Sequence, residues 1–240
     1  MFRGKKVFVS GGTGFIGSEI CRNFHKLGAL VVFSYNRHKE TADTLNKELQ
    51  DSISINLDLR NINDITEKIN SLVKKIGEID ILVNNASVSH ILPLSMLEEE
   101  DVDYVFDINI KGTLFLTKAI VRGMIKQKKG VIVNIGSIAG HRMLDVPVTY
   151  AMAKSSMSGF TISLASELKR FNIRVNNVIP GLMEGGVSKG IPEDLQNVFI
   201  NHCAAGRAGK ASDVSELVCF IASDKASYIN GQNIFVDGGI

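Results

Sequence analysis

The sequence predicts an α/β fold: one domain over residues 1–240, built on a doubly wound parallel sheet of seven strands with helices on both faces. Three observations carry this. Short apolar, β-branched runs alternate with longer amphipathic segments along the whole chain, the pattern of repeated β–α units joined by right-handed crossovers. The short runs are apolar on both faces, as a sheet covered on two sides requires. A glycine-rich turn stands between the first strand and the first helix.

The strands are expected over residues 7–9, 29–33, 53–55, 79–83, 131–135, 175–179 and 234–236. The helices between them are expected over 16–27, 39–49, 62–75, 102–126, 148–170 and 212–222. Residues 182–207 are the least regular stretch, with Gly185, Gly186, Gly190 and Pro192, and read as an insertion beside the sheet. No linker, low-complexity tract or internal repeat interrupts the series.

Bulk properties narrow the function. Hydrophobic residues make up 45% and charged residues 22%, ordinary for a globular protein. A formal net charge of +2 is too small to argue for a nucleic-acid partner. Cys21, Cys203 and Cys219 lack metal-ligand spacing and read as reduced packing residues. Lys5 and Lys6 lead directly into the first strand, so neither a signal peptide nor a membrane span is expected, and the location is expected to be cytoplasmic.

The chemistry-bearing residues cluster at strand ends. Tyr150 and Lys154 are four apart and so share one face of the helix expected at 148–170, with Ser137 thirteen residues before the tyrosine. An ammonium beside a phenol favours the phenolate and is expected to lower its pKa, which suits Tyr150 to proton transfer at a hydroxyl or carbonyl oxygen. The first strand runs into Gly11, Gly12, Thr13, Gly14, Phe15, Ile16 and Gly17, a turn that lets backbone approach a pyrophosphate at a helix N-terminus. The second strand leads into Ser34-Tyr35-Asn36-Arg37, with no carboxylate for a ribose 2′-hydroxyl. Arg37 can instead pair with a 2′-phosphate, assisted by Lys39 and His38, which favours NADP(H) over NAD(H). Asp58 and Leu59 end the third strand, where a carboxylate can accept from an adenine amine. Asn84, Asn85 and Ala86 end the fourth, at the edge where such sheets bind ligands.

These pieces, with Asn109, Pro180-Gly181 and the ending Asn230-Gly231-Gln232 to Asp237-Gly238-Gly239, resemble the short-chain dehydrogenases/reductases over essentially the whole chain. The likeness is to their 3-oxoacyl-[acyl-carrier-protein] reductase branch, carried by residues 131–140, 174–181 and 206–209. The resemblance implies a Rossmann-type fold and a nicotinamide cofactor contacted by the glycine turn, Asn85, Ala86, Tyr150, Lys154, Pro180 and Gly181. It implies that Tyr150 is the general acid/base, that Lys154 lowers its pKa and holds the nicotinamide ribose, and that Ser137 hydrogen-bonds the substrate oxygen. Asn109 is implied to anchor a water linking Lys154 to solvent. Four positions depart from the family pattern. Phe15 stands where compact members carry glycine, and Gly14 where a basic residue is frequent. Gly185 replaces a threonine, and Ser87 a glycine.

The implied substrate is a ketone or secondary alcohol, foremost a 3-oxoacyl thioester on acyl carrier protein in fatty-acid or polyketide synthesis. Basic residues Lys126, Lys128, Lys129, Lys169 and Arg170 could steer an acidic carrier or simply complement helix ends. Two alternatives stand beside it: a small-molecule dehydrogenase of a specialised pathway, and a non-catalytic nucleotide-binding regulator. Residues 182–207 are expected to form a substrate lid. A homotetramer is expected, with Met152, Met157, Phe160 and Leu164 as surplus apolar surface.

Overall fold

A computed structural model describes residues 1–240. Its core is a seven-stranded sheet, all parallel, in the order β3-β2-β1-β4-β5-β6-β7. The strands are β1 (Lys6–Val9), β2 (Leu30–Tyr35), β3 (Ile53–Asn56), β4 (Ile81–Asn84), β5 (Gly130–Ile135), β6 (Ile173–Pro180) and β7 (Asn233–Val236). The order reverses between β1 and β4, so the loops leaving these two strands diverge and open a crevice at their carboxyl ends.

Alternation along the strands divides the core in two. Val7, Val9, Val31, Phe33, Val83 and Val133 face one side, under α1 (Phe15–Lys26), α2 (Lys39–Glu48) and α8 (Ala211–Ala222). Phe8, Val32, Leu82, Ile132 and Val175 face the other, under α3 (Ile62–Ile76), α5 (Thr113–Gln127) and α6 (Val148–Leu168). Each strand buries side chains on both faces, which is why the sequence reads as continuous apolar runs.

Two segments differ from expectation. The helix expected over 102–126 is α4 (Glu99–Phe106), a π-helical turn (Asp107–Gly112) and α5 in series. The wider turn brings buried Asn109 to the backbone of Val88, accepting from its N–H and donating to its C=O, both at 2.8 Å. It ends at Gly112, where a Cβ would stand 2.5 Å from the Leu59 carbonyl oxygen. The stretch expected to be irregular contains α7 (Glu193–His202), which follows Pro192 and carries Glu193 and Asp194 in its first turn. These are ordinary helix-start signals that the preceding glycines obscured.

Helix α6 leaves Met152 and Ile162 exposed, and α5 leaves Leu114 exposed. Met157, expected among the surplus apolar residues, is buried in the protomer's own core. Phe160 and Leu164 are half-buried. Lys126, Lys128 and Lys129 precede β5, and Lys169 and Arg170 precede β6. They therefore lie at the amino edge of the sheet, opposite the strand ends that carry the site, and within one chain do not border it. There they complement the C-terminal ends of α5 and α6.

Candidate active site

The glycine turn is held mainly by the chain itself. Gly11 has φ +65°, and a Cβ there would meet Ala86 Cα at 2.9 Å. A Cβ on Gly17 would stand 2.3 Å from the Gly11 carbonyl oxygen and 2.6 Å from Asn85 Nδ2. Asn85 Nδ2 donates to the carbonyls of Ser10 (2.9 Å) and Gly11 (3.0 Å), and Ser10 Oγ accepts from the backbone N–H groups of Asn85 and Ala86. The side-chain amide group of Asn85 thus braces the turn from the far side of the switch point. The N-cap, Gly14, is exposed and has no capping side chain, and the first turn of α1 has no acidic residue. The N–H groups of Phe15, Ile16 and Gly17 have no acceptor within the chain. Unsatisfied donors at the positive end of a helix dipole fit a dinucleotide pyrophosphate.

The adenosine side is open. Arg37 is exposed and forms no ion pair, whereas Lys39 is committed to Asp43 at 2.6 Å. Asp58 receives Arg60 on both oxygens, with Arg60 Nη2 at 2.8 Å, and Arg60 holds its carboxyl below the usual range. The Asp58 carboxylate is therefore fixed and anionic, with Arg37 contributing further positive potential. Leu59 has its side chain in the core, which leaves only its backbone for a ligand. Asp58, Arg60, Asn61 and Asp107 line an open cavity of about 680 Å³ here.

The proton-transfer residues converge at the carboxyl end of β5. Gly140, at φ +84°, lets the following loop lie on α6, where a Cβ would stand 2.7 Å from the Ala151 carbonyl oxygen. This packing brings the Ser137 hydroxyl to the side of Tyr150, near enough to favour its phenolate. Ser137 Oγ already accepts from the Ala139 N–H at 3.1 Å, so its own proton is free to donate. Lys154 is buried, donates to the Ile135 carbonyl at 2.9 Å, and has its Nζ 5.9 Å from the centre of the Tyr150 ring.

Electrostatics here differ from expectation. Burial raises the Tyr150 phenol above its usual pKa, opposed by the neighbouring Ser137 hydroxyl. Lys154, its ammonium directed at the Ile135 carbonyl, does not set this direction; burial does. Burial also lowers Lys154 itself, from 10.5 to about 8. Asn109, expected to anchor a water linking Lys154 to solvent, has its side chain hydrogen-bonded to the Val88 backbone through both its oxygen and its nitrogen.

A buried amide row beneath the site was not anticipated. Asn84 Nδ2 donates to Asn134 Oδ1 and to Thr117 Oγ1, both at 2.9 Å, and Asn134 Nδ2 donates to Thr161 Oγ1 at 2.8 Å. Thr161 lies two helical turns beyond Lys154 on the same face of α6, so the row fixes the helix that carries both functional side chains. An asparagine inside the apolar run of β5, in register with Asn84 at the end of β4, was the available signal. Pro180 closes β6 and accepts from the Ile138 N–H at 3.0 Å, and Gly181 donates to Val236. Beyond them, residues 182–184 are pinned to Gly209 by two backbone hydrogen bonds.

The chain matches, over residues 13–240, the family described as "Enoyl-(Acyl carrier protein) reductase". It is 36% identical to the 3-oxoacyl-[acyl-carrier-protein] reductase FabG of Thermotoga maritima, over 99% of this chain and 98% of that protein. It is 33% identical to the protein of the same name from Escherichia coli K12, over 100% and 98%. Among solved structures, it superposes on a Serratia marcescens short-chain dehydrogenase/reductase variant with a TM-score of 0.92 at 29% identity, covering 99% of this chain and 98% of that one. A Burkholderia cenocepacia short-chain dehydrogenase in complex with NADP gives 0.91 at 28%, with the same coverage.

Proposed function

We propose, from the premise that this chain belongs to the short-chain dehydrogenase/reductase family, that it reduces the 3-oxo group of an acyl thioester carried on acyl carrier protein, with NADP(H) as cofactor. As a member of that family it is a nicotinamide-dependent oxidoreductase. The observation that carries the reading is the convergence of the buried Tyr150 phenol, the neighbouring Ser137 hydroxyl and the buried Lys154 ammonium, whose Nζ lies 5.9 Å from the Tyr150 ring centre.

When bound, the nicotinamide supplies the hydride. The chain handles the proton. Ser137 donates a hydrogen bond to the substrate oxygen, and Tyr150 gives that oxygen its phenolic proton. The raised phenol pKa keeps the proton in place at neutral pH, the state a reductase needs from its acid. Lys154, protonated below about pH 8, sets a positive charge beside the phenolate that results and favours it over the starting state. The unsatisfied α1 N–H groups would hold the pyrophosphate, and Arg37 the 2′-phosphate. Support for NADP(H) is the exposed, unpaired Arg37 together with the absence of any carboxylate from Ser34-Tyr35-Asn36-Arg37. Support for the acyl substrate is the pair of relatives named 3-oxoacyl-[acyl-carrier-protein] reductase. Exposed Ile91, Leu94, Met96, Met143, Val187 and Val198, on the segments that follow β4, β5 and β6, agree with an apolar chain.

The test is cofactor oxidation with 3-oxobutanoyl acyl carrier protein, the matching coenzyme A thioester and free cyclic ketones, each with NADPH and NADH. Highest kcat/KM for the carrier-linked substrate with NADPH is expected. Turnover confined to the free ketones would overturn the substrate assignment, and preference for NADH would overturn the cofactor assignment.

A further inference from the structure

The segment after residue 184 is attached to the body in an unusual way. Residues 185–202 make their hydrogen bonds only among residues 183–203, and none of their charged side chains forms an ion pair. The Gln196 amide, for example, donates to the carbonyls of Ser188 and Ile191 inside the segment. Apolar contact therefore holds it down. Two of its glycines meet side chains of the body. A Cβ on Gly185 would stand 2.7 Å from Phe15 Cδ2 and 2.8 Å from Cε2, so the phenyl ring lies against bare backbone. A Cβ on Gly186 would stand 3.4 Å from Phe15 Cβ. At the other end, a Cβ on Gly190 would stand 3.1 Å from Ile91 Cδ1, on the loop that follows β4. The segment thus spans the crevice, from the glycine turn to the opposite wall.

We infer that Phe15 is the seat of this lid, a positioning residue that ties closure over the substrate to occupancy of the phosphate turn. The inference rests on the proposed reading of residues 182–207 as a lid. Phe15 is the first residue of α1, and its N–H is among the unsatisfied donors suited to a pyrophosphate. One residue therefore has its backbone in the cofactor turn and its ring under the root of the lid. An anion held by the turn fixes the ring, and the ring fixes residues 185 and 186. The ring and a side chain at 185 exclude each other, because they would claim the same space. The two departures from the family pattern, at 15 and 185, are therefore one coupled change.

Lys189 offers a direct readout, since it lies in the 3-10 turn (Gly186–Gly190) between the two contacts and is exposed to trypsin. Cleavage after Lys189 under conditions where reclosing is fast reports the open fraction. Phe15→Ala is expected to speed this cleavage about tenfold without cofactor, equivalent to roughly 1.4 kcal/mol. It is also expected to lose most of the protection that NADP gives the parent. Phe15→Leu, which keeps apolar bulk, is expected to stay near the parent. Gly185→Ala, made against an intact Phe15, is expected to open the segment as Phe15→Ala does. Phe15→Ala/Gly185→Ala is expected to open it less than the two single effects combined. Cleavage in Phe15→Ala and Gly185→Ala at the parental rate would overturn the inference. So would equal acceleration in Phe15→Leu and Phe15→Ala, or strictly additive effects. NADP binding to the parent, measured by calorimetry, separates the two readings. A parent that fails to bind defeats the cofactor assignment, while the cofactor-independent cleavage rates still decide whether Phe15 seats the lid.

Discussion

Replacing Lys154 by methionine is expected to make the protein more stable and inactive. The lysine is buried, and burial alone accounts for the fall of its pKa from 10.5 to about 8. At about 1.4 kcal/mol per pH unit, the folded chain carries a penalty of about 3 kcal/mol for holding the ammonium at neutral pH. The sign follows from proton counting. Between about pH 8 and pH 10.5 the unfolded chain binds the proton and the folded chain does not, so parental stability rises with pH across that window. The penalty is complete below about pH 8 and absent above about 10.5. Methionine matches the length of the buried stem and removes the charge, but leaves the Ile135 carbonyl without its 2.9 Å partner. That loss costs about 1 kcal/mol. The net gain at pH 7 is about 2 kcal/mol, or roughly 4–8 °C in Tm for a chain of this size. Thermal unfolding of both proteins, followed by circular dichroism in steps from pH 7 to pH 10, measures it. The Tm difference should shrink as pH rises, because the parent sheds its penalty. A variant less stable than the parent at pH 7, or a gap indifferent to pH, would refute the claim that Lys154 is held against its own solvation for the sake of charge at the site.

Tyr150→Phe should lower kcat about a hundredfold or more while leaving NADP affinity intact, because it removes the proton and keeps the ring; steady-state kinetics and calorimetry check the two halves. Arg37→Ala should raise the KM for NADPH about ten- to a hundredfold and that for NADH little, and equal effects would reduce Arg37 to a surface charge. Thr161→Val should strand the buried Asn134 amide and destabilise the protein by about 1–3 kcal/mol in urea unfolding, with a cost near zero arguing against the amide row as a support for α6. The exposed apolar positions Leu114, Met152 and Ile162 on α5 and α6, and Phe220, Tyr228 and Phe235 near β7, are expected to be covered in a homotetramer. Light scattering at micromolar concentration should give four times the chain mass, and Ile162→Asp should lower it.

Much of the architecture was legible because each element carries its own signal. Strands buried on both faces must be apolar throughout, and the glycine turn must be where it is because side chains at 11 and 17 would strike Ala86 and the Gly11 carbonyl. The grouping of Ser137, Tyr150 and Lys154 follows from a strand end and one helix face. What escaped were features set by contacts between distant parts of the chain. The π-helical turn at 107–112 exists because Asn109 reaches Val88 and Gly112 passes the Leu59 carbonyl, and neither neighbour is visible from the helix's own sequence. The direction of the Tyr150 pKa depended on how deeply the phenol is buried. The i, i+4 spacing placed the Lys154 ammonium beside the phenol, but burial of the phenol itself, which no local spacing reveals, set the direction, while the ammonium also bonds the Ile135 carbonyl brought in by β5. Phe15 and Gly185 are separate oddities in the sequence, 170 positions apart, and only folding makes them a single contact. Periodicity and local spacing fix what a residue can do on its own element. Desolvation and partnership are properties of the assembled interior, and they decided how these residues are charged and what they touch.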